Sequence, residues 1–307
     1  MALFLRDILV NINNPETGLD QNFAASTLRI AFMVEKNTKA DSNTAKVDVY
    51  NLSEYTRSLL REFDDTLTIS AGYSEGYGNK LMFKGQLTKI NHKKNLPDII
   101  STLTCGDGVK KTRETRASVS YEEGSKSSDI IRDLANKLQL PIKEIPDDIK
   151  ETYLQGFSHS GSVKEALNKV IDKAGLEWSV QNEEIQIIKK RNVTKTQEII
   201  ISQLEGLIEQ PEKLHDLEAN LAGAQPKPGY RIKMLLNPDI EPGIKVFLES
   251  PNVQLEQPEF RVEKVTHTGD NWAGDFITEF TIVEITPPAE VILPGKTVTI
   301  SRPTIEG

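Results

Sequence analysis

The sequence predicts an α+β, mainly β protein in which two related β-rich units flank a small α+β unit. Three observations carry this. The stretch 242–285 holds three runs of period-two alternation, 244–250, 260–268 and 276–285, punctuated by turns containing Gly, Pro and Asn. An earlier stretch echoes it. Leu87-Thr-Lys-Ile-Asn-His92 matches Val262-Glu-Lys-Val-Thr-His267 in character, and each precedes an Asp that opens another alternating run, 98–105 and 275–282. Upstream of each lies a further strand pattern, 66–71 and 245–249. Between the two units, over 110–190, the apolar period changes from two to that of a helix.

In chain order, an apolar-alternating start gives way to a polar stretch, 11–26, whose Asn, Pro, Gly and Asp content predicts a loop. Leu28, Ile30, Phe32 and Val34 then alternate with polar neighbours. After the polar stretch 37–44 the run 45–51 alternates again, so the two form a hairpin. Residues 52–63 predict a short amphipathic helix, with Ser53 as N-cap, Glu54 at the positive helix start, and Leu59, Leu60 and Phe63 on the apolar side. Strand 66–71 leads into the glycine-rich stretch 72–79. It lacks the lysine and hydroxyl of a phosphate loop and has no helix after it, which makes it a hairpin tip. Strands 81–91 and 98–105 close the first unit.

The middle unit opens with a helix capped by Ser127 or Ser128 and carrying Ile130, Ile131, Leu134 and Leu138. Ser162-x-x-Glu165 has the form of a capping box for a second helix, and Gly175 stands where a C′ glycine belongs. Two short strands, 176–180 and 184–188, follow, with Trp178 placed in the core. The last unit starts with strand 199–207. A polar loop, 209–229, comes next, with helical turns expected around 213–221, and then strand 230–236. Beyond 285 four prolines favour an extended tail. The expected division is 1–109, 110–195 and 196–285, with 286–307 as that tail.

Composition bounds function. The chain of 307 residues is long enough for two or three cores. It shows no apolar run near the ~20 residues of a membrane helix and no signal-peptide pattern, so a soluble protein made in a cytoplasm is expected, without a membrane anchor. Cys105, the single cysteine, excludes an intramolecular disulfide and any cysteine zinc cluster. A net charge of −8 argues against general nucleic-acid binding but suits a surface past which a polyanion slides.

No catalytic, cofactor or metal site is expected. His92, His159, His215 and His267 lack partners at metal-binding spacing. His267 with Asp270 and Asp275 would be the best cluster, yet both acids sit in turn-rich sequence where Asp serves the backbone. Ser158-His159-Ser160-Gly161 does not match a nucleophile turn. The acid pairs Glu122-Glu123, Asp147-Asp148 and Glu183-Glu184 lie in polar loops, and Lys93-Lys94 and Lys189-Lys-Arg191 are too brief for a nucleic-acid track.

Several segments together resemble the baseplate hub proteins of contractile-tailed bacteriophages, the phage protein D or late control protein group. The most specific is Phe260-Arg-Val-Glu-Lys-Val-Thr-His-Thr-Gly-Asp270, followed by Trp272 and Thr278-Glu279. Met234-Leu-Leu-Asn-Pro-Asp-Ile-Glu-Pro-Gly-Ile-Lys-Val-Phe-Leu-Glu-Ser250 and Gln203-Leu-Glu-Gly-Leu-Ile-Glu209 are also similar. So are Gly161-Ser-Val-x-Glu-Ala-Leu167, Gly175-Leu-Glu-Trp-Ser-Val180, Ala45-Lys-Val-Asp-Val-Tyr-Asn-Leu-Ser53, Ala71-Gly-Tyr73 and Phe83-Lys-Gly85. The likeness covers roughly 28–285. The 209–229 loop is longer than the family's usual connection, and the tail has no match.

The resemblance implies two tube-like antiparallel β-barrel domains per chain. It also implies a homotrimeric, pseudo-six-fold ring between the six-fold tail tube, or a tube initiator, and the three-fold central spike. Wedge proteins and the tape measure protein are further implied neighbours, and viral DNA would pass through without specific binding. A hub of a related contractile injection or secretion system is the nearest alternative. A cell-wall-degrading or glycan-binding tail protein is the alternative from another class.

Overall fold

The computed structural model describes residues 4–75, 78–195, 198–214, 229–249 and 259–285. The expected tail, His215 and most of the 209–229 loop lie outside the described residues. The fold is α+β and mainly β, dominated by one 13-stranded sheet.

The N-terminal part contributes β1 (Phe4–Asn14), β2 (Leu19–Ala24), β3 (Ile30–Asn37), β4 (Thr44–Tyr50), β5 (Thr66–Glu75), β6 (Gly78–Asn95) and β7 (Asp98–Gly106), with helix α1 (Glu54–Leu59) after β4. The C-terminal part contributes β15 (Ile199–Ile201), β16 (Glu212–Leu214), β17 (Gly229–Leu235), β18 (Lys245–Leu248), β19 (Glu259–Asp270) and β20 (Phe276–Glu284). In space the first set runs β1-β5-β6-β7-β4-β3 and the second β15-β18-β19-β20-β17-β16. The two orders match strand for strand. One departure is that β1 meets β5 antiparallel whereas β15 meets β18 parallel.

The match extends to single residues. Where β6 pairs with β7 the register slips between Leu87 and Lys89, and where β19 pairs with β20 it slips between Val262 and Lys264. A bulge of this kind turns successive side chains to one face, which explains why the apolar alternation skips from Val262 to Val265. Five residues beyond each bulge start stands a histidine facing a hydroxyl. His92 Nδ1 is 3.0 Å from Ser101 Oγ, and His267 Nδ1 is 2.9 Å from Thr278 Oγ1.

Two elements differ from expectation at the N-terminus. The stretch expected as a loop, 11–26, is largely strand, because Ile12, Leu19 and Phe23 are buried while Asn11, Asp20 and Asn22 line the open face. There Asn11 Nδ2 bonds across to Asp20 Oδ1 and Asn22 Oδ1, so residues usually depleted in strands serve as cross-strand pairs. Ser53 does cap α1, its Oγ accepting the Thr56 N–H at 3.0 Å.

The middle unit holds α2 (Val109–Glu114), β8 (Arg116–Tyr121), β9 (Ser125–Lys126), α3 (Ser127–Leu138), β10 (Ile142–Glu144), β11 (Thr152–Tyr153), β12 (Phe157–Ser162), α4 (Val163–Lys173), β13 (Leu176–Gln181) and β14 (Glu184–Lys189). Helices α3 and α4 bury their apolar sides with Trp178, Val180 and Ile187 in a separate core. Trp178 Nε1 donates to Asn168 Oδ1 at 2.7 Å, satisfying the polar end of a buried ring. Neither expected serine cap forms. The N-cap of α3 is Lys126, and Ser162 at the N-cap of α4 makes no side-chain bond. Backbone carbonyls from neighbouring segments replace them: Glu151 O accepts from Ser127 N–H and Thr115 O from Val163 N–H. Gly175 does follow α4 in the left-handed region, at φ 68°.

In the last part the expected strand 199–207 shrinks to β15, with Leu207 forming a lone bridge to Met234. Lys213 and Leu214, expected as helical, are in β16; residues 215–228 lie outside the described residues.

Candidate functional site

The place where the two repeated halves meet is the feature the fold builds with most care. Strand β3, the outer strand of the first half, pairs antiparallel with β19, from Asn37 opposite Lys264 to Ala31 opposite Asp270. The β19–β20 turn then docks onto the first half. Arg29 donates to Asp270 Oδ2 at 2.8 Å, and Arg6 to the Asp270 carbonyl at 2.7 Å. Asn271 Oδ1 accepts the Ile30 N–H, while its Nδ2 donates to the carbonyls of Ala25 and Leu28. Beneath this turn Phe276 meets Phe32 and Tyr73 edge-on, at centroid distances of 6.4 and 5.2 Å. Phe276 therefore belongs to the core of the first half although it lies in the second.

A second cluster fastens the middle unit to this junction. Lys36 is 1 % exposed, and its Nζ lies 3.5 Å from Glu241 Oε1; Lys143 reaches the other oxygen at 3.0 Å. Burial lowers the Lys36 pKa against the pull of Glu241. For Glu241 burial acts upward, and the two lysines outweigh it, so the carboxyl sits below its ordinary range. Glu241 thus has two lysine partners, one on each carboxylate oxygen. Nearby, Asp107 accepts the Asn182 and Glu183 N–H groups, while burial raises its pKa to about 6. Asn43 Nδ2 donates to Val180 O and Gln181 Oε1, and Gln181 Nε2 donates to Asn37 O. Arg261, also 1 % exposed, pairs with Glu177 and with Glu263 and donates to Asn192 O. Buried charge pairs of this kind add little net stability, but removing one partner strands the other in the interior.

The residues weighed from sequence as chemistry are scattered. His267 is buried against Thr278, and burial, helped by Lys36, pushes its pKa down to about 3. Asp270 serves Arg29 and its own turn, accepting the Trp272 and Ala273 N–H groups; burial raises its pKa, and these donors more than offset it. His159 lies on β12 with Nε2 3.1 Å from Ser162 O. Asp147 and Asp148 pair with Lys195 and Lys189. Cys105 is buried, and burial pushes its thiol pKa up. Among the described residues no three His, Cys, Asp or Glu side chains form a group able to hold a metal, and no helix is long and apolar enough to cross a membrane. A groove of about 470 Å3 over β16, β17 and β20 is lined by opposed charges, including Glu209, Glu212, Arg231 and Lys233, that pair with one another.

Lys36, Glu241 and Arg261 were not anticipated. The signal for Lys36 was its parity: it continues the inward series Ile30, Phe32, Val34. Arg261 had no such mark: it faces away from Phe260 and Val262, and it is buried there because Glu177 and Asn192 of the middle unit cover it.

Comparisons with known proteins agree with this architecture. A tail protein of prophage MuSo2 from Shewanella oneidensis superposes with a TM-score of 0.62 at 7 % identity, over 91 % of this chain and 98 % of that one. A tail protein from Neisseria meningitidis gives 0.59 at 11 % identity, over 90 % and 96 %. The Escherichia coli c3393 protein, a component of the type VI secretion system, gives 0.54 at 7 % identity, over 90 % and 77 %. At these identities the likeness is one of fold. No curated protein matches this chain significantly in sequence. A family model does: the one described as Baseplate hub gp41 matches residues 8–277. The chain belongs to that baseplate hub family, and its role is a structural one in the baseplate of a phage tail.

Proposed function

We propose that three copies of this chain form a ring at the distal end of the tail, joining the six-fold tail tube to the three-fold central spike and lining the DNA conduit. The observation that carries this is the duplication within the chain. Two halves with the same strand order, the same bulge and the same histidine–hydroxyl pair give three chains six similar β-units. Six similar units meet a six-fold tube, and three identical chains meet a three-fold spike. Residues 1–109 and 196–285 are the two tube-like barrel domains of this reading, 110–195 the small domain between them and 286–307 the tail. An acidic chain of net charge −8 suits a wall that DNA must pass without adhering. The role is structural and not catalytic, with no cofactor, and wedge and tape measure proteins are the expected neighbours.

The likeness to a type VI secretion component favours one second reading, the hub of a related injection or secretion machine. Counting copies separates the outcomes. Quantitative mass spectrometry of purified virions should find three copies of this chain per particle, against multiples of six for the tube protein. Absence from DNA-filled virions would transfer the role to an injection machine. Six copies, or a variable number, would refute the trimeric ring. Peptidoglycan clearance by the purified chain would refute the non-catalytic reading.

A further inference from the structure

The junction inside one chain is a template for the contact between chains. Strand β3 covers the edge of β19 over residues 264–270. By strand order β6 is the counterpart of β19, and β16 that of β3. The corresponding edge of β6 is residues 89–95, beyond the bulge. It is exposed apart from Ile90, and β5 does not cover it, since their pairing ends at Gln86 opposite Thr66. Glu62 accepts the Ile90 N–H at 2.8 Å, which closes the start of this edge and leaves Asn91 to Asn95 beyond it. Strand β16 has β17 as its neighbour on one side and, among the described residues, none on the other. An uncovered edge is a template for strand addition.

We propose that β16 of one copy adds antiparallel to the β6 edge of the next, repeating the β3–β19 junction between chains. The internal register fixes the pairs. Val34 lies opposite Ala45, and Ala45 opposite Cys105, the bulge partner of Leu87. Lys213 lies opposite Tyr230, and Tyr230 opposite Ile282, the bulge partner of Val262. Lys213 therefore occupies the place of Val34. Val34 faces His267, whose counterpart is His92. The contact sets Lys213 against His92, Glu212 against Lys93 and Leu214 against Asn91. Charge agrees: Lys93 and Lys94 line one edge, while Glu212 and Glu209, whose in-chain partners Arg231 and Lys233 leave them exposed, lie on or beside the other. Two β6 edges brought together would repel through the same lysines, which selects β16. The contact is head-to-tail, the kind that closes rings. It rests on the ring reading and supplies the surface that reading leaves unspecified.

A cysteine pair tests it. Ile90 turns its N–H outward, so His92 does likewise and Lys93 takes a non-hydrogen-bonded position. Opposing Cα atoms at such positions are about 4.5 Å apart, within disulfide reach. The full-length Lys93→Cys/Glu212→Cys variant should oxidise to covalent species ending at three chains, and neither single variant should. In the otherwise native chain Lys93→Glu should weaken association about tenfold, and adding Glu212→Lys should restore it. Three chains by light scattering without cross-linking or charge rescue would overturn this contact and leave the ring intact. A monomer that does not cross-link at tens of micromolar would overturn both.

Discussion

Truncating Phe276 tests whether the two halves share one core. The ring is 3 % exposed, packs edge-on against Phe32 and Tyr73, and lies under the Arg6 guanidinium at 5.3 Å. Phe276→Ala should cost about 3–5 kcal/mol, the range for emptying a buried aromatic site. The readout sits elsewhere in the sequence, at Cys105, which is buried in the same core and is the single cysteine. Its burial keeps the thiol protonated and shielded, so it reacts after opening. At a factor of ten per 1.4 kcal/mol, labelling of Cys105 by a thiol reagent in dilute urea should accelerate about 10²- to 4 × 10³-fold at fixed protein concentration. The intrinsic reactivity of the unfolded chain should not change. Acceleration below about threefold, with the C-terminal strands nevertheless destabilised, would refute the shared core.

Further outcomes follow from the buried polar groups and the tight junction. Lys36→Met should cost about 3 kcal/mol in urea unfolding, because Glu241 loses one of its two lysine partners, and adding Glu241→Gln should recover part of that loss; an unchanged single variant would refute a stabilising Lys36–Glu241 contact. Folding lowers the His267 pKa from its ordinary 6.5 to about 3, so its contribution is full above pH 6.5 and is lost as pH falls towards 3. His267→Gln should accordingly narrow the gap between urea midpoints at pH 7 and pH 4. Asp107 acts oppositely: raised to about 6, it contributes fully below pH 3.8 and loses that contribution as pH rises through 6, so Asp107→Asn should steepen the acid loss. Gly269→Ala would place a methyl 2.5 Å from Phe32 ring atoms and should cost about 1–3 kcal/mol; an unchanged melting temperature would mean that Phe32 moves aside freely.

The sheet was legible because period-two burial is local information. Ile30, Phe32 and Val34 announce β3, and Phe276, Phe280 and Ile282 announce β20, whatever they pack against. The repeat was legible too, since Leu87–His92 and Val262–His267 encode the same bulge and the same histidine. The pairing of β3 with β19, 264 residues into the chain, was not: register between distant strands depends on which edges are left uncovered, and no local pattern records that. The β1–β2 hairpin was hidden by composition, its open face being Asn and Asp. The serine caps of α3 and α4 were misread for a related reason, since Glu151 and Thr115 supply carbonyls that the sequence places far from the helices they cap. Lys36, Glu241 and Arg261 escaped because a charge reads as surface until tertiary structure supplies its partner.

As proposed above, this duplicated chain is one third of a ring. The most direct test is the mass of the purified protein by light scattering across a dilution series, alone and with the tube and spike proteins. A species of three 34.3 kDa chains should form, alone or on adding the spike. A mass of one chain at every micromolar concentration, unmoved by tube or spike, would contradict it.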